Sequence, residues 1–156
     1  MTPIQEPITG KEDLTDLSRP QLVVAQFYRA FNLRDIVLMQ ENWLPTSEAV
    51  MDNPLGGIKR GWSEIEVVYR SIFEGSSRVQ VEFYDYTVHS GNEYFYVIGR
   101  ERGTLRTATG IELELAIRTS RFYRQFEGRW RQAHHHGSID DPSLLQRYRD
   151  LVLKAA

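Results

Sequence analysis

One change of period, near Ser77, constrains this chain more than any other feature of it. Before that residue apolar side chains recur at helical spacing; after it they alternate every second residue for some sixty positions. Pro20 suits a first helical turn, and Ser18 with Gln21 has the spacing of a capping box. Val23, Val24, Phe27 and Phe31 form a stripe behind it. Asp35 can cap a second short helix that carries Ile36, Met39, Gln40 and Trp43 as far as Pro45, and Ala49–Asp52 is a short strand candidate. Gly56, Gly57 and Gly61 mark a turn. A third helix follows, with Ser63 and Glu66 spaced as a capping box, Trp62 and Val67 as a hydrophobic staple, and Ile65, Val68, Tyr69, Ile72 and Phe73 on one face before Gly75.

The alternating half predicts four long strands, about 78–89, 93–105, 111–126 and 129–139, with turns at Gly91-Asn92, Thr109-Gly110 and Glu127-Gly128. Helices first and an antiparallel meander afterwards specify an α+β fold: a strongly curved, cone-shaped sheet with three N-terminal helices over its concave face. Asp141-Pro142 opens a last helix with Leu144, Leu145, Tyr148, Leu151 and Val152 along one edge. The expected organisation is a flexible leader at 1–17, the cone at 18–139 and a C-terminal helix at 140–156.

Composition excludes several function classes. There is no cysteine, so thiol chemistry and cysteine-ligated metals are out. With 19 Lys plus Arg against 21 Asp plus Glu the chain lacks the basic excess of a nucleic-acid binder. The N-terminus has no basic start followed by an apolar run, and no apolar stretch approaches the roughly 20 residues needed to cross a bilayer. A cytoplasmic protein with neither nucleic acid nor membrane as partner is the expectation.

Hairpin arithmetic places the polar residues. A two-residue loop at Glu127-Gly128 sets Arg121 against His134 and Thr119 against His136. Odd positions Ile111, Leu113, Leu115 and Ile117 make that face of the strand interior, and Thr119, Arg121 and Tyr123 continue it. A two-residue loop at Thr109-Gly110 adds Arg100 opposite Thr119, and one at Gly91-Asn92 adds Phe83, Asp85, Tyr94 and Tyr96. One inner face would then hold Asp85, Arg100, Thr119, Arg121, His134 and His136 within aromatic walls that include Trp130, while Phe95, Val97, Tyr84, Tyr86 and Phe122 would point outward. A single bulge reverses any of these assignments. Two buried guanidinium groups need an anion. Either Asp85, Asp52 or a glutamate neutralises them internally, or a carboxylate-like ligand does, bound on Arg100 and Arg121. Of the three successive histidines only His134 and His136 can converge, which leaves a metal site incomplete, and no metal or cofactor is expected.

The segments VVAQFYRAFNLRD, Trp43, AVMDNPLGGIKRG with the Trp62–Phe73 helix, and SRFYRQFEGRWRQAHHHGS resemble the SnoaL-like group of the nuclear transport factor 2-like (NTF2-like) superfamily over about residues 18–139. That resemblance implies a cone with an internal cavity. GRWRQAHHHGS is similar to the end of the association domain of calcium/calmodulin-dependent protein kinase II, a non-catalytic oligomerising module. This implies that Arg100 and Arg121 match two of its three pocket arginines, with Gly137 at the third position, and that His134, His136 and Ser138 match its closing strand. Ketosteroid isomerase, which uses an aspartate before a proline, is matched less well: Asn53 precedes Pro54, Asp52 lies one place earlier, and the donor positions fall on Phe27, one step from Tyr28, and on Ser120. The expected function is binding of a small organic anion in the cavity of a homodimer formed through the outer sheet face. Ligand contacts would come from Arg100, Arg121, Thr119, Tyr94, Tyr96, Trp130 and Asp85. The alternatives are a metal-independent isomerase, cyclase or hydrolase using Asp52, His134 or His136, and a pure oligomerisation module.

Overall fold

The computed structural model describes residues 1–153. Three helices, α1 (Pro20–Leu33), α2 (Ile36–Asn42) and α3 (Trp62–Glu74), precede the meander β3 (Arg78–Ser90), β4 (Tyr94–Arg106), β5 (Glu112–Phe126) and β6 (Arg129–Ser138). Two short strands, β1 (Val50–Asp52) and β2 (Lys59–Arg60), sit between α2 and α3, and α4 (Pro142–Leu153) ends the described chain. The sheet runs β2-β1-β6-β5-β4-β3. All pairings are antiparallel except β1 with β6, which is parallel. This is the α+β cone that the change of period specifies. The last three positions of the predicted C-terminal helix, 154–156, lie outside the described residues.

The helix starts differ in detail from the sequence reading. Asp35 caps α2 through Leu38 N (3.0 Å), and Asp141 caps α4 through Ser143 N (2.8 Å). Ser18 instead bonds Asp16, and α1 begins after an uncapped Arg19. The staple at α3 does not form: Gly61 is the cap residue and Val67 is exposed. In the leader, Ile4 and Ile8 exchange backbone hydrogen bonds with Tyr86 and Phe83, and Ile8 is buried. Residues read as loose from their composition thus lie along the free edge of β3, where an unpaired strand edge would otherwise face other chains.

Three turns and two bulges set the register. The β4–β5 loop is one residue longer than the two-residue reading, because Thr107 still pairs with Ile111 and Gly110 takes a left-handed turn (φ 91°). Arg100 therefore faces Arg118, and Thr119 faces Gly99. The β3–β4 loop centres on Asn92-Glu93, with Gly91 bonding Tyr94, and a bulge at Asp85 (φ 49°) shifts the register again. On β6 a bulge between the Phe122–His134 and Tyr123–Gln132 pairs inserts Ala133. Each one-residue slip exchanges the faces of the strand beyond it. The inner row of β4 is consequently Phe95, Val97, Gly99, Glu101, Gly103 and Leu105. Phe95, Val97 and Leu105 are fully buried, and Tyr86 on β3 is buried with them.

Candidate functional site

A chain of hydrogen-bonded polar side chains crosses the interior of the cone. Arg121, 2% exposed, is its centre. Its Nη2 donates to Glu101 Oε1 (2.8 Å) and its Nη1 to Gln132 Oε1 (2.8 Å), while the Tyr28 hydroxyl donates to the same Glu101 oxygen (2.6 Å). Gln132 Nε2 and the Tyr123 hydroxyl both donate to Asn42 Oδ1 (3.2 Å each), and Asn42 Nδ2 donates to Gln26 and to the Val23 carbonyl. The guanidinium also lies over the Phe27 ring, 3.5 Å from its centroid. A charge this deep persists only with a matched partner. Burial works against it, and Tyr28 and Glu101 offset that, so Arg121 stays protonated. Burial first, then the interaction with Glu101, keeps the Tyr28 hydroxyl protonated as a donor.

Beside this network lies a cavity of about 40 Å³, room for a few waters. Glu101, Arg121, His135 and Asn53 are its polar lining, and Phe27, Phe31, Tyr69 and Tyr148 are its rings. Both hydrogen bonds to Glu101 end on Oε1. Tyr148 comes from α4, which is held down by Arg149 Nε on the Pro54 carbonyl (2.8 Å) and by Ser77 Oγ on the Leu151 carbonyl (3.2 Å). The C-terminal helix therefore packs across the mouth of the cone. Asn53 lines the cavity, yet its side-chain oxygen is spent on Leu55 N (3.1 Å). Gly137, at the third arginine position of the oligomerising module, has Pro54 packed over it: a Cβ there would meet Pro54 Cδ at 3.0 Å.

Of the expected pocket residues, Arg121 and Thr119 are interior, buried on the inner face of β5. Trp130 keeps the pairing that the Glu127-Gly128 loop predicts, opposite Gln125, and the rest are elsewhere for the register reasons given above. Arg100 is on the outer face, paired with Asp85 across the bulge (3.1 Å), and Asp85 also accepts from Gln5 Nε2. Tyr94 and Tyr96 point outward, stacked on Phe122 and His89 respectively. His134 and His136 are outside as well, where Asp52 accepts from His136 Nδ1 (2.8 Å) and lies 3.8 Å from His134 Nε2. Trp130 stands against Phe95, away from the cavity, and donates to the Ser18 carbonyl (3.2 Å). Phe95, Val97 and Tyr86, read as outward, are core.

Glu101 and His135 are the site residues that hairpin arithmetic missed. A signal for Glu101 was present: the odd positions of β4 carry Phe95, Val97 and Leu105, whereas the even ones carry Arg100, Arg102 and Arg106. His135 has no such signal, since only the Ala133 bulge turns it inward. Burial, followed by the Arg121 charge, pushes its imidazole well below the usual range. The folded protein holds it neutral, whereas the unfolded chain takes a proton below about pH 6.5. The unfolded state then binds more protons, so stability present above pH 6.5 is lost as pH falls through the window beneath it. In His135→Gln the pH dependence of the unfolding free energy from urea titration between pH 6.5 and 5 is expected to be flatter than in the parent, by up to about 1.4 kcal/mol per pH unit. Parallel curves would place His135 in contact with bulk water.

Among the described residues no helix is long and apolar enough to cross a membrane. No group of three or more His, Asp or Glu side chains among them is arranged to hold a metal ion.

A family model described as a SnoaL-like domain matches residues 21–142. No curated protein matches the chain. Similar solved structures include an NTF2-like family protein from Streptomyces avermitilis (TM-score 0.73, 17% identity), with 81% of this chain and 98% of that one covered. A ketosteroid isomerase-like protein from Erwinia carotovora atroseptica has a TM-score of 0.66 at 22% identity, covering 82% and 98%. A Thiobacillus denitrificans protein assigned to the calcium/calmodulin-dependent protein kinase type II association domains has 0.64 at 24%, covering 78% and 95%. At such identities the likeness is one of fold.

Proposed function

The chain belongs to the SnoaL-like family, and from that premise we propose that it binds a small, uncharged organic molecule in the interior pocket, as a homodimer formed through the outer sheet face. The observation that carries this reading is the Glu101 carboxylate, anchored on one oxygen by Arg121 and Tyr28 beside a cavity walled by aromatic rings. A guest that donates a hydrogen bond to the second oxygen and lays an apolar body on Phe27, Phe31 and Tyr69 suits such a site. An organic anion, the guest favoured by the residues alone, suits it less. The Arg121 charge is already matched, and a second carboxylate would add an unpaired negative charge in a dry interior.

The dimer rests on the outer row Tyr94, Tyr96 and Ile98 with Phe122, in place of Phe95 and Val97. Tyr94 and Ile98 are 44% and 51% exposed, a large apolar share for a solvated sheet face. A second reading follows from the same carboxylate: as a base on a carbon acid bound in the cavity, Glu101 would support isomerase-like proton transfer without a metal.

Thermal denaturation with a matched panel tests the first reading. Phenol and cyclohexanol are expected to raise the midpoint and benzoate to leave it unchanged, since a ligand at 100 times its Kd adds about 2.7 kcal/mol. Stabilisation by benzoate equal to that by phenol would overturn it.

A further inference from the structure

We infer that the chain carries a second small-molecule site, a groove at the hairpin end of the cone fitted to a free aromatic amino acid with a hydroxyl on its ring. The groove has a volume of about 390 Å³, against about 40 Å³ for the interior cavity, and lies between the leader, α1 and the β5–β6 hairpin. Ordinary ligand pockets span roughly 300–1,000 Å³, so a small guest fits. Its Trp130 wall stands on the core residue Phe95, which places the groove on the helix side of the sheet. A second copy on the outer face leaves it open.

The lining changes character from floor to mouth. Leu14, Val23 and Trp130 are apolar walls, Val23 buried and the other two half-buried. They suit an aromatic ring. Gln26 is the buried polar member of the lining, 6% exposed, and its side-chain oxygen accepts from Asn42 Nδ2 (2.9 Å). A buried amide among apolar walls favours a guest whose inner end is itself polar, as a ring hydroxyl is.

Glu41 and Arg129 stand exposed at the mouth with opposite charges. Among the described residues neither is within ion-pair distance of a partner. Arg131 beside them donates to the Glu41 backbone carbonyl. Burial first and then the Arg129 charge hold the Arg131 guanidinium below its usual range, with Glu41 and Glu127 opposing, so Glu41 and Arg129 share one end of the groove. A guest carrying both signs meets both at once, with an ammonium on Glu41 and a carboxylate on the Arg129 fork. A free α-amino acid has that head. Gln26 is also the outer end of the polar chain that runs through Asn42 and Gln132 to Arg121, so a guest that bonds it bears on the network beside the interior cavity.

The test is titration of the full chain with L-tyrosine up to its solubility limit, followed by backbone amide and side-chain N–H chemical shifts. Shifts are expected at Val23, Gln26, Glu41 and the Trp130 indole and, through the chain, at Arg121 Nε–H. Removing one group of the ligand at a time is expected to weaken binding at least tenfold: tyramine lacks the carboxylate, N-acetyl-L-tyrosine the ammonium and L-phenylalanine the hydroxyl. Arg129→Gln is expected to weaken L-tyrosine by the same factor and to leave tyramine unchanged, since tyramine has no carboxylate to lose. Absence of binding, or full affinity in both Arg129→Gln and Glu41→Gln, would overturn the site, as would shifts confined to residues lining the interior cavity. L-phenylalanine binding as tightly as L-tyrosine would remove the role given to Gln26, and a silent Arg121 signal in the filled protein would break the link to the interior. Phenol lacks the charged head and is expected to leave the Glu41 and Arg129 signals unmoved, so the groove and the interior reading fail separately.

Discussion

Replacing Glu101 with alanine is expected to cost about 3–5 kcal/mol, because it leaves the Arg121 guanidinium buried with no anion. Tyr28 loses its acceptor in the same step. For a chain of this length the midpoint should fall by roughly 10 °C. The deletion also opens space beside Arg121 for a small carboxylate. Formate or acetate should therefore restore part of the lost stability in the variant and none in the parent, where Glu101 already occupies the guanidinium. Replacing both partners by methionine should recover most of the loss, since a buried ion pair exchanged for packed apolar side chains is often neutral. A variant that unfolds at the parent's midpoint, or that ignores acetate, would mean that Arg121 reaches water.

Tyr148→Ala is the second large change. Tyr148 is 5% exposed at the inner edge of α4, and its ring is one wall of the cavity. Removing a buried aromatic ring costs about 3–5 kcal/mol, part of it the void left behind. Here that void would join the existing cavity and make room for a ring-sized guest. Phenol should accordingly stabilise Tyr148→Ala more than it stabilises the parent, in which α4 must shift before anything larger than water enters. The binding-competent fraction of the parent lowers its apparent affinity by the same factor. Equal phenol affinity in the two proteins would show that α4 does not guard the pocket.

Both expectations turn on residues that the sequence showed unequally. Arg121 and Thr119 were legible as interior because Leu113, Leu115 and Ile117 precede them on the same alternation. The capping aspartates of α2 and α4 were legible too, since a helix start is a local event. Arg100 was not. Its place depends on whether the β4–β5 loop has two residues or three, and Thr109-Gly110 is compatible with both. His134, His135 and His136 are still harder, because three identical residues carry no phase, and the inward one is selected by a bulge at Ala133. The pairing of Asp52 with His136 depends on β1 lying parallel to β6, a contact between segments 84 positions apart.

Within each strand, then, the order of side chains was enough to say which residues share a face and that one face is buried, because the pleat has a period of two and apolar residues must leave water. The same order was enough to separate the helical half from the sheet. Which charged residues meet was decided only when the strands were laid together. Register is a relation between strands, a one-residue slip inverts it, and the energy that selects the register is the sum of all the packing across the sheet. That sum put Glu101, rather than a ligand, beside Arg121 and turned Arg100 toward solvent.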